Sequence, residues 1–314
     1  MEKNLKSFGM LYGSSPAMER LYEQLGRVAA TEATVLLVGE SGTGKELIAR
    51  TIHQRSGRAD QNFVAVNCGA IAPHLIEAAL FGHEKGSFTG AMRQQLGYFE
   101  HASRGTLFLD EITEMPTEMQ VKLLRVLESG TFTRVGGDCE VRVDVRLVAA
   151  TNRELEAAVQ QRSLRADLMY RLAVFPIRVP PLRERIGDVE LLALHFLDGF
   201  NAKEGTCKSF PRRSLDMLQS YSWPGNVREL KNLVQRAFIL CIQTLVLDES
   251  TVNFSIRKPN SREGQLSFFI GTPLADAQRE TILATLHHYS GNKRLTAEAL
   301  GVSLKTLYNR LKEF

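Results

Sequence analysis

Five short apolar runs, Thr34–Val38, Phe63–Val66, Thr106–Leu109, Arg146–Ala150 and Phe175–Val179, alternate with longer stretches of helical spacing. The runs are rich in β-branched and large aliphatic residues. Most are apolar throughout, which predicts parallel strands buried on both faces under helices. Ligands on such sheets collect beyond the carboxyl ends of the strands, so the residues that follow each run are the candidates for chemistry. From Pro180-Pro181 the strand signal stops, and helical periodicity carries Val189–Phe200, Arg213–Tyr221 and Val227–Ile242. Between about Glu249 and Gly271 the chain turns polar and irregular, as in Lys258-Pro259-Asn260-Ser261-Arg262-Glu263-Gly264, the composition of a linker. The expected divisions are an α/β subdomain over 8–180, a helical subdomain over 181–248, a linker over 249–271 and an all-α unit over 272–314. No internal repeat is present.

The sharpest chemical signal is Gly39-Glu40-Ser41-Gly42-Thr43-Gly44-Lys45-Glu46, between the first run and the helical Leu47–His53. Glycines let the backbone fold tightly enough for successive N–H groups to point at phosphate oxygens. Lys45 adds a cation near the β and γ phosphates, and the next helix turns its positive end to the same anion. A Ser or Thr that binds Mg²⁺ usually follows the lysine of such a loop, and here Glu46 stands there. The run Gly105-Thr106-Leu107-Phe108-Leu109-Asp110-Glu111 ends in two acids. Asp110 is suited to holding Mg²⁺, directly or through water, and Glu111 to orienting or deprotonating the attacking water. Phosphoryl transfer is mainly positioning and charge neutralisation, so other polar groups should converge from strand ends. Asn67 is placed to hold Glu111 by a hydrogen bond, and Thr151-Asn152 to sense the γ phosphate. A helix cap or turn is the plainer role for each.

Composition narrows the class without naming the activity. At 314 residues, 44% hydrophobic and 24% charged, the chain exceeds one compact core and matches soluble globular proteins of two or three domains. No apolar run is long enough to span a bilayer, and Met1-Glu2-Lys3-Asn4 does not begin a signal peptide, so a cytoplasmic protein with no membrane partner is expected. Cys68, Cys139, Cys207 and Cys241 lack the close pairing of zinc or redox sites and read as reduced packing residues. The net charge of +4 is compatible with nucleic acid but too mild to argue for it.

Three stretches carry a family likeness: Gly39–Glu46, Phe81-Gly82-His83-Glu84-Lys85-Gly86-Ser87-Phe88-Thr89-Gly90-Ala91, and Trp223-Pro224-Gly225-Asn226-Val227-Arg228-Glu229-Leu230. From about Leu11-Tyr12-Gly13 to Leu311 the chain resembles the sigma-54-dependent transcriptional activators, or bacterial enhancer-binding proteins. The resemblance implies an α/β AAA+ fold: a P-loop parallel sheet with helices on both faces, a helical lid subdomain, and a C-terminal all-α helix-turn-helix domain. It implies an ATPase, working on ATP with Mg²⁺, that binds double-stranded DNA at an upstream site and remodels the sigma-54 RNA polymerase closed complex so that the promoter opens. The family's counterpart of Gly86, Ser87, Phe88, Thr89, Gly90 and Ala91 is a surface loop that touches sigma-54. The family usually has Ala where Ser87 stands. Self-association into a hexameric ring is implied, with nucleotide bound between subunits. Arg165 and Arg171, in Leu164-Arg165-Ala166-Asp167-Leu168-Met169-Tyr170-Arg171, match the arginine-finger segment, Arg228 the sensor arginine of the lid, and Ser129–Val141 the second pore loop. An arginine supplied in trans makes hydrolysis depend on assembly.

In the last unit a helix opens at Thr272-Pro273, with Ile282, Leu283, Leu286 and Tyr289 on one face. Two short helices then pivot on Gly301, with Ala297 and Leu300 before it and Leu304, Leu307 and Leu311 after it. Ser303 opens the second, whose Lys305, Thr306, Asn309, Arg310 and Lys312 are expected to face outward. Such groups suit base edges and phosphates in a major groove. The charged face of a docking bundle is the other reading, and resemblance to the Fis-type module, which binds as a dimer, favours DNA. Two rival functions belong to other classes. One is a DNA-binding repressor that retains the AAA+ fold without sigma-54 activity, against which the Phe88-Thr89 tip argues. The other is a different AAA+ motor, which gives no reason for that loop. The sequence contains no receiver or sensory segment of the kind many such activators carry.

Overall fold

In the computed structural model, two short strands, β1 (Ser7–Phe8) and β2 (Leu11–Tyr12), pair antiparallel and lead into helix α1 (Pro16–Ala29). The structure describes residues 7–87, 91–247, 273–289 and 291–313, without the side chains of Leu274, His287, Lys312 and Glu313. Phe88, Thr89, Gly90, the 249–271 stretch, Thr272 and the outward placing of Lys312 therefore lie outside the described residues. These residues form two compact units, one within Met1–Val252 and one within Asn253–Phe314.

All five apolar runs are strands of one parallel sheet: β3 (Val35–Val38), β4 (Phe63–Asn67), β5 (Thr106–Asp110), β8 (Arg146–Thr151) and β9 (Phe175–Arg178), in the order β4-β5-β8-β3-β9. Alternation sorts their side chains. Leu36, Leu107, Leu109, Leu147 and Ala149 enter one core with α3 (Ile76–Phe81), α5 (Thr117–Ser129) and α7 (Ala166–Leu172). Val35, Leu37, Phe108, Val148, Ala150 and Ile177 enter the other, against α1 and α2 (Lys45–Gln54). Three strands reach one residue beyond the apolar run, because backbone pairing continues through a polar side chain. Asn67, Asp110 and Thr151 are thus strand-terminal residues, and Asn67 pairs with Asp110 in register.

Three smaller elements frame the predicted contact loop. Helix α4 (Tyr98–His101) follows it, and the antiparallel hairpin β6 (Thr131–Thr133) and β7 (Glu140–Arg142) stands beside it. Helix α6 (Leu155–Gln160) links β8 to α7. The helical subdomain consists of α8 (Asp188–Glu204), α9 (Arg212–Ser220) and α10 (Asn226–Leu240), packed around the fully buried Trp223, whose indole N–H donates to Leu218 O at 2.9 Å. Helix α10 stops two residues short of the periodicity. Cys241 turns extended, and Ile242, though apolar, is 90% exposed.

The second unit holds α11 (Leu274–His288), α12 (Lys293–Ala299) and α13 (Leu304–Glu313). Its buried centre is Thr296, Ala297 and Leu307. Ile282, Leu286, Leu300 and Leu311 are half-buried around it. Two expected core positions face solvent instead: Leu283 and Leu304 are each 44% exposed. Ile282 and Leu286, four apart, set the inner face of α11, and Leu283 lies about 100° around the helix from Ile282. Tyr289 falls past the helix end.

Candidate nucleotide-binding site

Between β3 and α2 the loop turns through Gly42 at φ +79° and Gly44 at φ +97°, left-handed conformations that favour glycine. Space is open where a Cβ at Gly44 would stand. The first α2 bond runs from Ile48 N to Gly44 O, so the N–H groups of Lys45, Glu46 and Leu47 precede the helical ladder at its positive end. Lys45 is buried, and its ammonium donates to Gly39 O (2.8 Å) and Glu40 O (3.1 Å). Burial lowers the Lys45 pKa, opposed by the carboxylates of Asp110 and Glu111. The side chain of Glu46 turns along α2 to Arg50, at 2.9 Å. That position therefore offers an anion its backbone N–H and offers a metal no hydroxyl.

Asp110 ends β5, and its Oδ1 accepts the N–H of Glu111 at 2.9 Å. Glu111 sits at φ +53°, a strained conformation for a residue with a Cβ, and its carboxylate lies over Gly69, where a Cβ would come within 2.6 Å. The expected bond from Asn67 to Glu111 is not made. Asn67 Oδ1 instead accepts Ala70 N at 3.0 Å, because the short turn Cys68–Ala70 that follows β4 needs a cap. Cys68 is buried beside the two acids, and burial first, then their charges, push its thiol up to about 12. Thr151 is fully buried, 3.2 Å from the Thr113 hydroxyl, and accepts Arg153 N at 3.1 Å. Asn152, next to it, is exposed.

The helical subdomain closes directly on the loop. Arg228 N–H donates to Gly42 O (3.2 Å) and its guanidinium to Ser41 Oγ (3.3 Å). Sequence reasoning missed three further contacts. Arg183 forks onto the Glu40 carboxylate at 2.9 and 2.5 Å, holding that carboxyl below its ordinary pKa. The buried Arg185 donates to Thr43 O at 3.2 Å, and Asn226 to Ser41 O at 3.0 Å. Pro181-Leu182-Arg183-Glu184-Arg185, straight after the last strand, was the available signal.

Arg165 and Arg171 are not drawn into this chain's own loop. Arg165, exposed at the start of α7, forks onto Asp167 at 3.0 and 2.7 Å, and Arg171, exposed on α7, donates to Leu127 O at 2.6 Å. The contact loop is pinned at its base: Gly86 N donates to Ala91 O (2.8 Å), and His83 and Gln95 exchange backbone bonds at 2.9 Å. Ser87 Oγ donates to Glu84 O at 2.9 Å and packs against Gly136 of the neighbouring hairpin. Arg134 of that hairpin grips Glu100 (2.9 and 2.5 Å) and Glu84 (2.9 Å) together. In the second unit Lys305, Thr306, Asn309 and Arg310 are exposed on α13, while Ser303 caps that helix by accepting Thr306 N at 3.0 Å.

A glycine loop ending in a buried lysine, paired acids at the end of a second strand of the same parallel sheet and a helical lid on the loop define an AAA+ P-loop ATPase. The sigma-54 interaction domain family matches residues 11–178, the AAA+ ATPase lid domain 183–267, and the Fis family of bacterial regulatory proteins 273–314. The chain belongs to the family of sigma-54 activators and joins its ATPase to a Fis-type DNA-binding domain. It is 43% identical to the DNA-binding transcriptional regulator NtrC of Azospirillum brasilense, over 96% of this chain and 69% of that one. It is 45% identical to the regulatory protein ZraR of Escherichia coli, over 97% and 68%. Among solved structures, NtrX of Brucella abortus in complex with ATP is similar at a TM-score of 0.71 and 35% identity, over 97% of this chain and 69% of that one.

Proposed function

We propose that this ATPase works as a hexameric ring in the cytoplasm, tethered to upstream DNA, and that hydrolysis of MgATP moves the Gly86–Ala91 loop against sigma-54 so that the closed promoter complex opens. The carrying observation is how the protrusion is anchored. One base continues into α3, which follows the turn after Asn67. Arg134 of the β6–β7 hairpin, which α5 connects back to Glu111, grips both bases, Glu84 before the loop and Glu100 after it. Both ends of the nucleotide-facing strand pair therefore lead to the loop.

In this reading Lys45 neutralises phosphate charge, Glu111 activates water, and Thr151-Asn152 and Arg228 respond to the γ phosphate from sheet and lid. Arg165 and Arg171 serve the neighbouring subunit, and Asn67 caps the turn after β4 whose Gly69 faces the Glu111 carboxylate. Mg²⁺ fits the donor set at Asp110 and would neutralise charge on the phosphate oxygens. Among the described residues no three His, Cys or acidic side chains converge on a metal, so phosphates and water would complete its shell, as Mg²⁺ commonly requires. Lys305, Thr306, Asn309 and Arg310 contact DNA, with Ser303 at the helix start. Working divisions of 8–180, 181–248, 249–271 and 272–314 follow these roles.

The test is specific ATPase activity against protein concentration, paired with promoter opening by purified sigma-54 polymerase. Activity should rise steeply as rings form, and Phe88→Ala should abolish opening while ATPase persists. A flat specific activity, or opening unaffected by Phe88→Ala, contradicts the proposal.

A further inference from the structure

A loop whose N–H groups converge on an anion turns the neighbouring carbonyls outward, and those carbonyls need donors of their own. In this chain the donors are unevenly shared. Lys45 takes Gly39 O and Glu40 O from within the loop. The next three carbonyls are all held from beyond the sheet: Ser41 O by Asn226, Gly42 O by the Arg228 N–H, and Thr43 O by Arg185. Asn226 makes the most of these links. Fully buried at the start of α10, its amide donates to Ser41 O (3.0 Å) and Glu40 Oε2 (3.1 Å), and its oxygen accepts Leu182 N (2.8 Å). It holds a left-handed φ of +53°, which asparagine tolerates better than most residues with a Cβ. The packing leaves no slack: a Cβ at Gly42 would fall 2.3 Å from Gly225 O.

We propose that Asn226 is a positioning residue for the phosphate cradle: its carboxamide keeps the Ser41 carbonyl turned outward and ties the Glu40 carboxylate, so the loop and the first turn of α10 move as one body. Nucleotide affinity and lid position are then coupled through this side chain, independently of any sigma-54 contact.

The experiment titrates the full chain with a fluorescent ADP analogue and Mg²⁺, which leaves the γ-phosphate residues out of the readout. Asn226→Gly keeps the backbone conformation and deletes the amide; it should weaken Kd about tenfold. Asn226→Asp keeps the shape but sets a carboxylate against Glu40 and the Ser41 carbonyl, and should weaken Kd about a hundredfold. The double variant Glu40→Gln with Asn226→Asp should recover about tenfold over Asn226→Asp, because the new amide donates to the new carboxylate. A merely structural asparagine predicts losses that multiply. Wild-type affinity in Asn226→Asp, or multiplying losses in the cycle, overturns the proposal. If Asn226→Asp folds poorly by circular dichroism, the cycle of Asn226→Gly with Glu40→Gln decides the question equally, since independent losses there also overturn it.

Discussion

Asp188 offers the strongest single test of how the lid is fastened. It opens α8 and is fully buried. Its Oδ1 accepts Ser14 N (2.8 Å) and Ser15 N (3.0 Å), and its Oδ2 accepts Ser15 Oγ (2.9 Å), so one carboxylate ties the segment after β2 and the cap of α1 to the lid. It is also the countercharge of buried Arg185: burial lowers the Arg185 pKa and Asp188 opposes that shift. The same carboxylate, after burial, helps push the Tyr22 hydroxyl up to about 12. Asp188→Ala removes three charged-acceptor bonds and strands a buried guanidinium, which should cost about 3–5 kcal/mol. For a unit of this size each kcal/mol moves Tm by about 2–4 °C, so a drop of about 10 °C is expected. Asp188→Asn keeps an acceptor for both N–H groups, and the Ser15 hydroxyl can rotate to accept. Only the charge is lost, at about 2 kcal/mol. Thermal melts followed by circular dichroism should rank wild type above Asn above Ala. An Ala variant melting with the wild type would refute the fastening role, and an Asn variant as damaged as Ala would refute the division between bonds and charge.

Two other outcomes follow. Arg134→Ala should leave nucleotide affinity near wild type while sigma-54 promoter opening falls about five- to hundredfold, the span of ordinary coupling free energies; equal losses in both assays would contradict a transmitting role for the Arg134 grip on Glu84 and Glu100. His53 is buried with Nδ1 3.0 Å from the Thr106 hydroxyl, and burial holds its pKa below 6.5. The unfolded chain therefore takes this proton more readily, so stability is full above that value and declines as pH falls below it. Denaturation from about pH 7 to about pH 5 should show a slope that His53→Gln reduces, and an unchanged slope would assign it to other groups.

The sheet was readable because burial on both faces leaves continuous apolar runs: all five strands fall where Thr34–Val38 and its counterparts suggest, and the phosphate loop follows from glycine spacing. The strand ends were less legible. A polar residue such as Asn67 still pairs its backbone, and whether its carboxamide faces Glu111 or caps Cys68–Ala70 depends on a local donor that periodicity cannot report. Leu283 and Leu304 misled for a related reason, since three short helices have room for only one buried layer, and Ala297 and Leu307 fill it. Of the lid's grip on the loop only Arg228 was legible, through the Trp223–Leu230 motif. Glu40 and Asn226 are 186 residues apart, and no local pattern links them.

Burial also separates arginines that can change partners from those that cannot. Arg146 is 2% exposed and bonds Val28 O and Ala29 O at 2.8 Å each, fixing the end of α1; moving it would leave buried carbonyls unpaired. Arg185 is fixed in the same way behind the phosphate loop. Arg165 and Arg171 are built differently. The Arg165–Asp167 pair is about two-fifths exposed on each side, where water can replace either partner, and Arg171 holds one carbonyl from the surface. Tyr170 and Val174, beside Arg171, are 75% and 56% exposed, an apolar surface flanking a releasable cation. An arginine that must reach another subunit's phosphate needs a cheap resting partner and a surface to be buried on arrival. Among these arginines, Arg165 and Arg171 rest on such partners and Arg171 has such a surface, as the proposed trans role requires.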